Sequence, residues 1–434
     1  MSRGITALSV LFLVSSFSFA QDSVRTALLN KIYIQGNEET KASVILRELP
    51  FAPGDSVTNR EIEYARDRVY STRLFTKVLM EPVPVRANEI DLLIYVEERW
   101  YIWPYPVVGI RDRDWKRFYA GAGIADMNFR GLDEKLAGMF ALGYDPFAAV
   151  RFRSPGIGSH RDYLLTMSGS YSKGRSIGVQ AGSASGEFKG TFGDISVEIG
   201  RRFGLFSTIS LGASYNYVSS GDDSLRLVLS PNGTDVFAAA KLSYVYDSRN
   251  LRSYATDGTF ISIRLEKYGL GESLVNFGRL SADARKYFQI GGALTLAARL
   301  YGNFAEGPAI PVYDDVFIGY FERIRGMFNS VSQGVDMAGG NLEIRIPIVR
   351  QMYIEIPDFP LKEFISNRIG LYWNFFADAG ETAGREFDFD KRNLLFGYGG
   401  GVSLLLPYDL ILQADCARGS DGHVEFILDF GATI

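Results

Sequence analysis

Asn341-Leu342-Glu343-Ile344-Arg345-Ile346 alternates a polar residue with an aliphatic one. Side chains on a β-strand point to opposite faces in turn, so this stretch forms a strand with Leu342, Ile344 and Ile346 on one face. Asn341, Glu343 and Arg345 take the other. The same alternation recurs along the chain. Ile261, Ile263 and Leu265 oppose Ser262, Arg264 and Glu266; Leu280, Ala282 and Ala284 oppose Arg279, Asp283 and Arg285; Val424, Phe426, Leu428 and Phe430 oppose Glu425 and Asp429. Such strands fit a transmembrane antiparallel β-barrel with lipid outside and a wet lumen inside. A soluble β-sandwich alternates as well. An export signal, the aromatic content and the number of strands favour the membrane barrel.

Strands are expected near residues 101, 119, 136, 146, 162, 190, 208, 235, 259, 277 and 293, then near 338, 368, 397, 409 and 424, about sixteen by the alternation rule. The longest gap, from about Asn303 to Ala338, is of a length that usually marks a functional or disordered loop. No apolar run after the first residues is long enough for a transmembrane helix.

Composition narrows the function classes. The 434 residues carry 46 Lys+Arg against 50 Asp+Glu, a net charge of -4, with one cysteine, Cys416, and two histidines, His160 and His423. That leaves little from which to build a disulfide framework or a zinc site. The acidic balance argues against nucleic-acid binding, which needs a basic surface. Residues 1–20 read as an export signal: Arg3 gives the positive flank, Ile5 to Val14 is almost wholly apolar, and Ser18-Phe19-Ala20 suits cleavage before Gln21.

Before Trp100 the period is helical. Ala42, Ile45, Leu46 and Leu49 make one apolar stripe, and Thr58 and Glu61 have capping-box spacing ahead of a helix with Ile62, Ala65 and Val69 inward. Val78 and Met80 lie in one following strand; Ile90, Leu92, Ile94 and Val96 alternate in another. Residues 21–99 thus read as a small α+β domain, and residues 100–434 as the barrel. The domain resembles a POTRA domain in Ile32-Tyr33-Ile34-Gln35-Gly36-Asn37, in Phe51-Ala52-Pro53-Gly54-Asp55 and in Tyr64 to Lys77.

The long gap holds Phe321-Glu322-Arg323-Ile324-Arg325-Gly326-Met327-Phe328, which resembles the V-R-G-F loop motif of the BamA/TamA superfamily, outer-membrane insertases and their translocating relatives. Asp247-Ser248-Arg249 with Thr256-Asp257-Gly258, Asn341 to Pro347, and Phe375-Phe376-Ala377-Asp378-Ala379-Gly380 are similar to other motifs of that family, in the same order. Met327 stands where Phe is usual, one POTRA segment stands where bacterial BamA has several, and the chain ends in Ile434 rather than an aromatic residue.

The resemblance sets Asp378 opposite Arg325, so that Arg325, Gly326 and Asp378 would lock the loop in the lumen. A guanidinium is a forked, permanently charged donor that meets a carboxylate in parallel hydrogen bonds, worth about 1–3 kcal/mol in a partly wet site. A lateral gate is expected where the first strand meets the last, at Pro104, Pro106, Val107 and Ile110 against Leu428, Phe430 and Gly431; an ordinary boundary proline pair and closing strand fit the same residues. Trp100, Tyr101, Trp103 and Tyr105 read either as a headgroup-level girdle or as packing between domains. Val78 and Met80 mark a sheet edge on which clients or partners would add a strand.

No catalytic, cofactor-binding or metal-ligating set emerges. Gly182-Ser183-Ala184-Ser185-Gly186 has Ala at the nucleophile position of a hydrolase elbow, and both histidines read as turn or strand-end residues. The resemblance implies an outer-membrane assembly factor with its POTRA domain in the periplasm. Its partners would be unfolded β-barrel clients, accessory lipoproteins and membrane lipid. A translocation pore or lipid-handling relative is the alternative, and a barrel hydrolase the alternative of another class.

Overall fold

The computed structural model describes residues 26–110, 115–158, 162–175, 189–220, 228–271, 274–291, 294–319, 322–328, 330–356, 365–384 and 394–431. The expected export signal, His160, the Gly182 to Gly186 run and residues 432–434 lie outside them.

Strands β1 (Ala27–Gln35), β2 (Ser56–Val57), β3 (Phe75–Arg86) and β4 (Glu89–Glu98) form a sheet in the order β2-β1-β4-β3, with β1 and β4 parallel. Helices α1 (Ala42–Leu46) and α2 (Asn59–Tyr70) lie between β1 and β3 in the chain. At the start of α2 the Glu61 N–H donates to Thr58 Oγ1 at 3.2 Å and the Thr58 N–H to Glu61 Oε2 at 2.9 Å. Two donors that the helix cannot satisfy internally are thereby paired. Ile62, Ala65 and Val69 turn inward, into one buried cluster with Val78, Leu92, Ile94 and Val96. The shorter helix departs from the expected stripe. Leu46 is exposed, while Val44, Ile45, Glu48 and Leu49 face inward. Glu48 turns in because arginines wait for it there.

Sixteen further strands form one antiparallel sheet, with a strand at or beside every position marked by the alternation. They are β5 (Ile102–Ile110), β6 (Phe118–Phe129), β7 (Glu134–Gly143), β8 (Phe147–Ile157), β9 (Tyr163–Arg175), β10 (Lys189–Phe203), β11 (Ser207–Ser220) and β12 (Thr234–Asp247), then β13 (Gly258–Leu270), β14 (Asn276–Ile290) and β15 (Leu294–Ala309). A small ribbon, β16 (Val316–Ile318) with β17 (Ser332–Gly334), interrupts the series. It resumes with β18 (Asp336–Glu355), β19 (Ser366–Ala383), β20 (Leu395–Leu406), β21 (Leu410–Gly419) and β22 (Val424–Phe430). The packing is inverted relative to a globule in water: Ile195, Leu211, Leu300 and Leu342 are exposed, whereas Arg279, Arg299, Glu343, Arg345 and Asp378 are buried. A wall with apolar residues outward and charges inward is a membrane barrel's, not a sandwich's.

The base of the barrel carries the small domain. Arg368 Nη2 donates to Asp67 at 3.0 Å, the Tyr64 hydroxyl to the Ser248 carbonyl at 3.0 Å, and Arg73 pairs with Asp409 at 3.2 Å. Leu251, Tyr254, Tyr372, Leu405 and Ile411 of the barrel join the domain's own core. α2 therefore lies across several of the turns that link barrel strands at this end.

Candidate functional site

The described residues between β15 and β18 fold back into the lumen. Arg325 Nε and Nη2 donate to the two oxygens of Asp378 at 2.7 and 2.9 Å, the Arg325 N–H to Asp378 Oδ2 at 3.2 Å, and Nη1 to Glu343 Oε2 at 2.6 Å. The guanidinium carbon lies 3.6 Å from the centroid of the Phe376 ring. Asn341 pairs with Asp378 in the β18–β19 ladder, so Glu343 stands two residues further along the same lumenal face. Glu343 accepts a second bond, from Arg345 Nε at 2.7 Å, and Arg345 Nη1 donates to the Ala255 carbonyl at 2.9 Å. Arg325, Asp378, Glu343 and Arg345 are all buried. The lock is thus a buried chain of charges, with Asp415 a further 3.9 Å from Arg325, rather than one contact in a partly wet lumen.

Gly326 makes the turn at the loop tip. Its φ is +90°, and a side chain there would bring a Cβ within 2.8 Å of the Arg418 carbonyl carbon. Only glycine suits that conformation and that approach. Met327 is buried with Ile318 and Ile324, and its sulfur accepts from Ser420 Oγ at 3.8 Å.

Sequence reasoning missed the rest of the anchorage. Arg299 meets Glu322 of the loop in two bonds of 2.9 and 2.8 Å while also donating to Asp283. Arg279 Nε holds Asp314 at 2.9 Å, the Tyr313 hydroxyl reaches Asp235 at 3.0 Å, and the Phe328 N–H donates to Glu425 on β22 at 2.8 Å. The available signal was a set of charges at inward positions of neighbouring strands. Their partners depend on register, which no single stretch reveals.

At the other expected positions, Pro104, Pro106, Val107 and Ile110 lie on β5, Leu428 and Phe430 on β22, and Gly431 follows with φ +115°. β5 and β22 end the sheet on its two sides, and among the described residues they share no ladder. The β5–β6 register runs unbroken through both prolines, which puts their missing donors on the side away from β6. Phe426, Leu428 and Phe430 face outward, 69–87% exposed.

β3 is an edge strand, but its first half is covered. Val78 is buried, its N–H donates to the Tyr353 hydroxyl at 3.2 Å, and the neighbouring Lys77 pairs with Glu355 at 2.8 Å. Both partners belong to the end of β18, which with β19 extends beyond the barrel base. Met80 is half-buried beside them, and the open edge is Glu81 to Arg86. The aromatic cluster divides: Tyr101 is buried, hydrogen-bonded to Thr40 at 2.9 Å, whereas Trp100 is exposed and stacks at 5.4 Å on Trp103. Packing between domains describes the first, and a headgroup-level position suits the second.

Where the small domain meets the barrel, Glu48 accepts from Arg68 at 2.8 Å and from Arg202 at 2.9 Å, with Arg252 at 3.8 Å. Burial drives this carboxyl toward protonation, but Arg202, Arg252 and Arg68 outweigh it and hold its pKa below the ordinary value.

A transmembrane barrel with a small domain docked on its base and a clamped lumenal loop defines a class of outer-membrane protein, and known families agree. The model of the Omp85 superfamily domain matches residues 128–418, and a POTRA model, described as a surface antigen variable number repeat, matches residues 27–99. The chain belongs to the Omp85 superfamily, with one POTRA domain. It is 23% identical over 313 residues to the outer membrane protein assembly factor BamA of Nitratidesulfovibrio vulgaris, covering 70% of this chain and 38% of that relative. The match thus spans well under half of that curated relative's length. BamA from Haemophilus ducreyi lacking POTRA domains 1-3 aligns with a TM-score of 0.54 at 16% identity, over 93% of this chain and 83% of that one. CdiB from Escherichia coli aligns at 0.55 and 12% identity, over 93% and 75%. At these identities the likeness to the solved structures is one of fold.

Proposed function

We propose that this chain is an outer-membrane assembly factor that inserts and folds client β-barrel proteins. In this reading residues 1–20 are removed on export, residues 21–99 stand in the periplasm, and residues 100–434 span the outer membrane. An Omp85-family role in insertion or translocation is the common ground; insertion is the finer step proposed here. The observation that supports it is the seam, where among the described residues β5 and β22 leave strand edges without a shared ladder beside an outward apolar row. In lipid an unpaired backbone group costs several kcal/mol, so such an edge favours the addition of another strand. A client strand entering there would gain hydrogen bonds and reach lipid in one movement.

The role needs no catalytic centre, and its partners would be unfolded barrel proteins and accessory lipoproteins. Depletion followed by profiling of outer-membrane proteins tests it. An insertase lowers many barrel proteins together; the loss of one secreted partner, stranded in the periplasm, would replace insertion with translocation. Labelling by a serine-reactive phosphonate would point instead to a barrel hydrolase.

A further inference from the structure

Between the POTRA domain and the lumenal base of the barrel lies a cavity of about 330 Å³. Its wall carries five cationic side chains, Arg47, Lys135, Arg153, Arg202 and Arg252, against three carboxylates, Glu48, Asp133 and Asp247. The carboxylates do not balance the cations, because each is already shared. Glu48 serves Arg68, Arg202, Arg47 and Arg252; Asp247 is gripped by Arg249 at 2.8 Å before it meets Arg252 at 3.3 Å; Asp133 faces both Arg47 and Lys135.

Donors are left over. Arg47 Nε and Nη1 are buried without a hydrogen bond, and the exposed Arg153 has neither an ion pair nor a hydrogen bond among the described residues. Burial, together with Arg68 and Arg202, weakens the hold of Arg252 on its proton, although Glu48 and Asp247 oppose this. The buried Arg47 donors cost free energy until an anion accepts from them, and the more exposed Arg153 and Arg252 flank the same cavity.

We propose that this cavity binds a phosphate dianion, supplied as free phosphate or as the headgroup of a lipid. A monocarboxylate offers two oxygens to one or two forks, whereas a phosphate offers enough acceptors for several guanidinium groups at once. Arg47 and Arg252 sit on opposite sides of the junction, one on the POTRA domain and one on the β12–β13 turn. A phosphate between them would tie the domain to the barrel.

The test uses the full chain, first in detergent and then in nanodiscs. At constant ionic strength, replacing chloride by inorganic phosphate should raise the melting temperature saturably, with one phosphate bound per chain. Arg153→Gln, which breaks no hydrogen bond or ion pair among the described residues, should weaken that binding about tenfold, as loss of one charge-assisted bond does. If Arg153→Gln fails to fold, phosphate should still protect Arg252 of the unaltered protein from phenylglyoxal. Phosphatidic acid in phosphatidylcholine nanodiscs supplies the second arm: a response to the lipid and not to free phosphate assigns the headgroup as the source. Equal effects of chloride and phosphate, with no protection of Arg252 in either arm, would overturn the proposal.

Discussion

At the scale of single residues, the loop is held by buried charges. Removing Arg325 leaves Asp378 and Glu343 buried without their cation, a change that costs about 3–5 kcal/mol when a buried pair is broken from one side. Arg325→Ala should therefore release the loop, expose it to external protease and lower the proposed assembly activity. Arg325→Lys should recover only part, because an ammonium cannot fork between the two oxygens of Asp378. A neutral Arg325→Ala, with the loop still protected, would remove the clamp from the mechanism. The pairing of Arg325 with Asp378 was legible as a family resemblance. The share taken by Glu343, and the second clamp of Arg299 on Glu322, were not, since both arise only once the loop folds back onto the strands that flank it.

At the scale of elements, the POTRA edge is shared between its own barrel and the solvent. Alternation places Val78 correctly on an inward face of β3, but sequence gives no warning that β18 outruns the barrel wall and sets Tyr353 against that edge. The stretch left open, Glu81 to Arg86, holds Pro82 and Pro84 and keeps its register with β4 as far as Pro84, where it shifts before Arg86, so it offers carbonyls but few N–H groups to a partner. We expect a photo-crosslinker at Val83 or Val85 to capture unfolded barrel precursors, and one at Val78 to capture the chain's own β18. Tyr353→Phe should shift some capture of precursors to position 78. Capture by position 78 of the unaltered protein at the level of position 83 would show that the β18–β19 extension does not guard the edge.

At the scale of the whole molecule, two joints govern what can move, the POTRA–barrel junction and the seam. Sixteen strands and a small α+β domain were legible because each strand repeats one two-residue rule and α2 carries its own start signal. The inward turn of Glu48 was not, because a carboxylate on a short helix reads as solvent-facing until Arg68 and Arg202 stand beside it. Its lowered pKa means that the junction gains from the charged form above the ordinary carboxylate pKa of about 4.3, and loses that gain as pH falls through the lower folded value. Melting of the junction should therefore be flat from pH 7 to about 5 and fall at lower pH, a fall that Glu48→Gln reduces and that Asp247, held low against burial by Arg249 and Arg252, shares. The seam works independently of that charge. An insertase needs β5 and β22 to part, and two prolines on one side with an outward apolar row on the other leave little to hold them together among the described residues. Cysteine pairs joining residues 107–110 to residues 428–431, in a Cys416→Ala background, should arrest client assembly until reductant is added, while leaving the loop clamp and the POTRA junction intact. Full activity in a chain verified as crosslinked would mean that clients never pass this seam, and the route to lipid would have to be sought elsewhere in the wall.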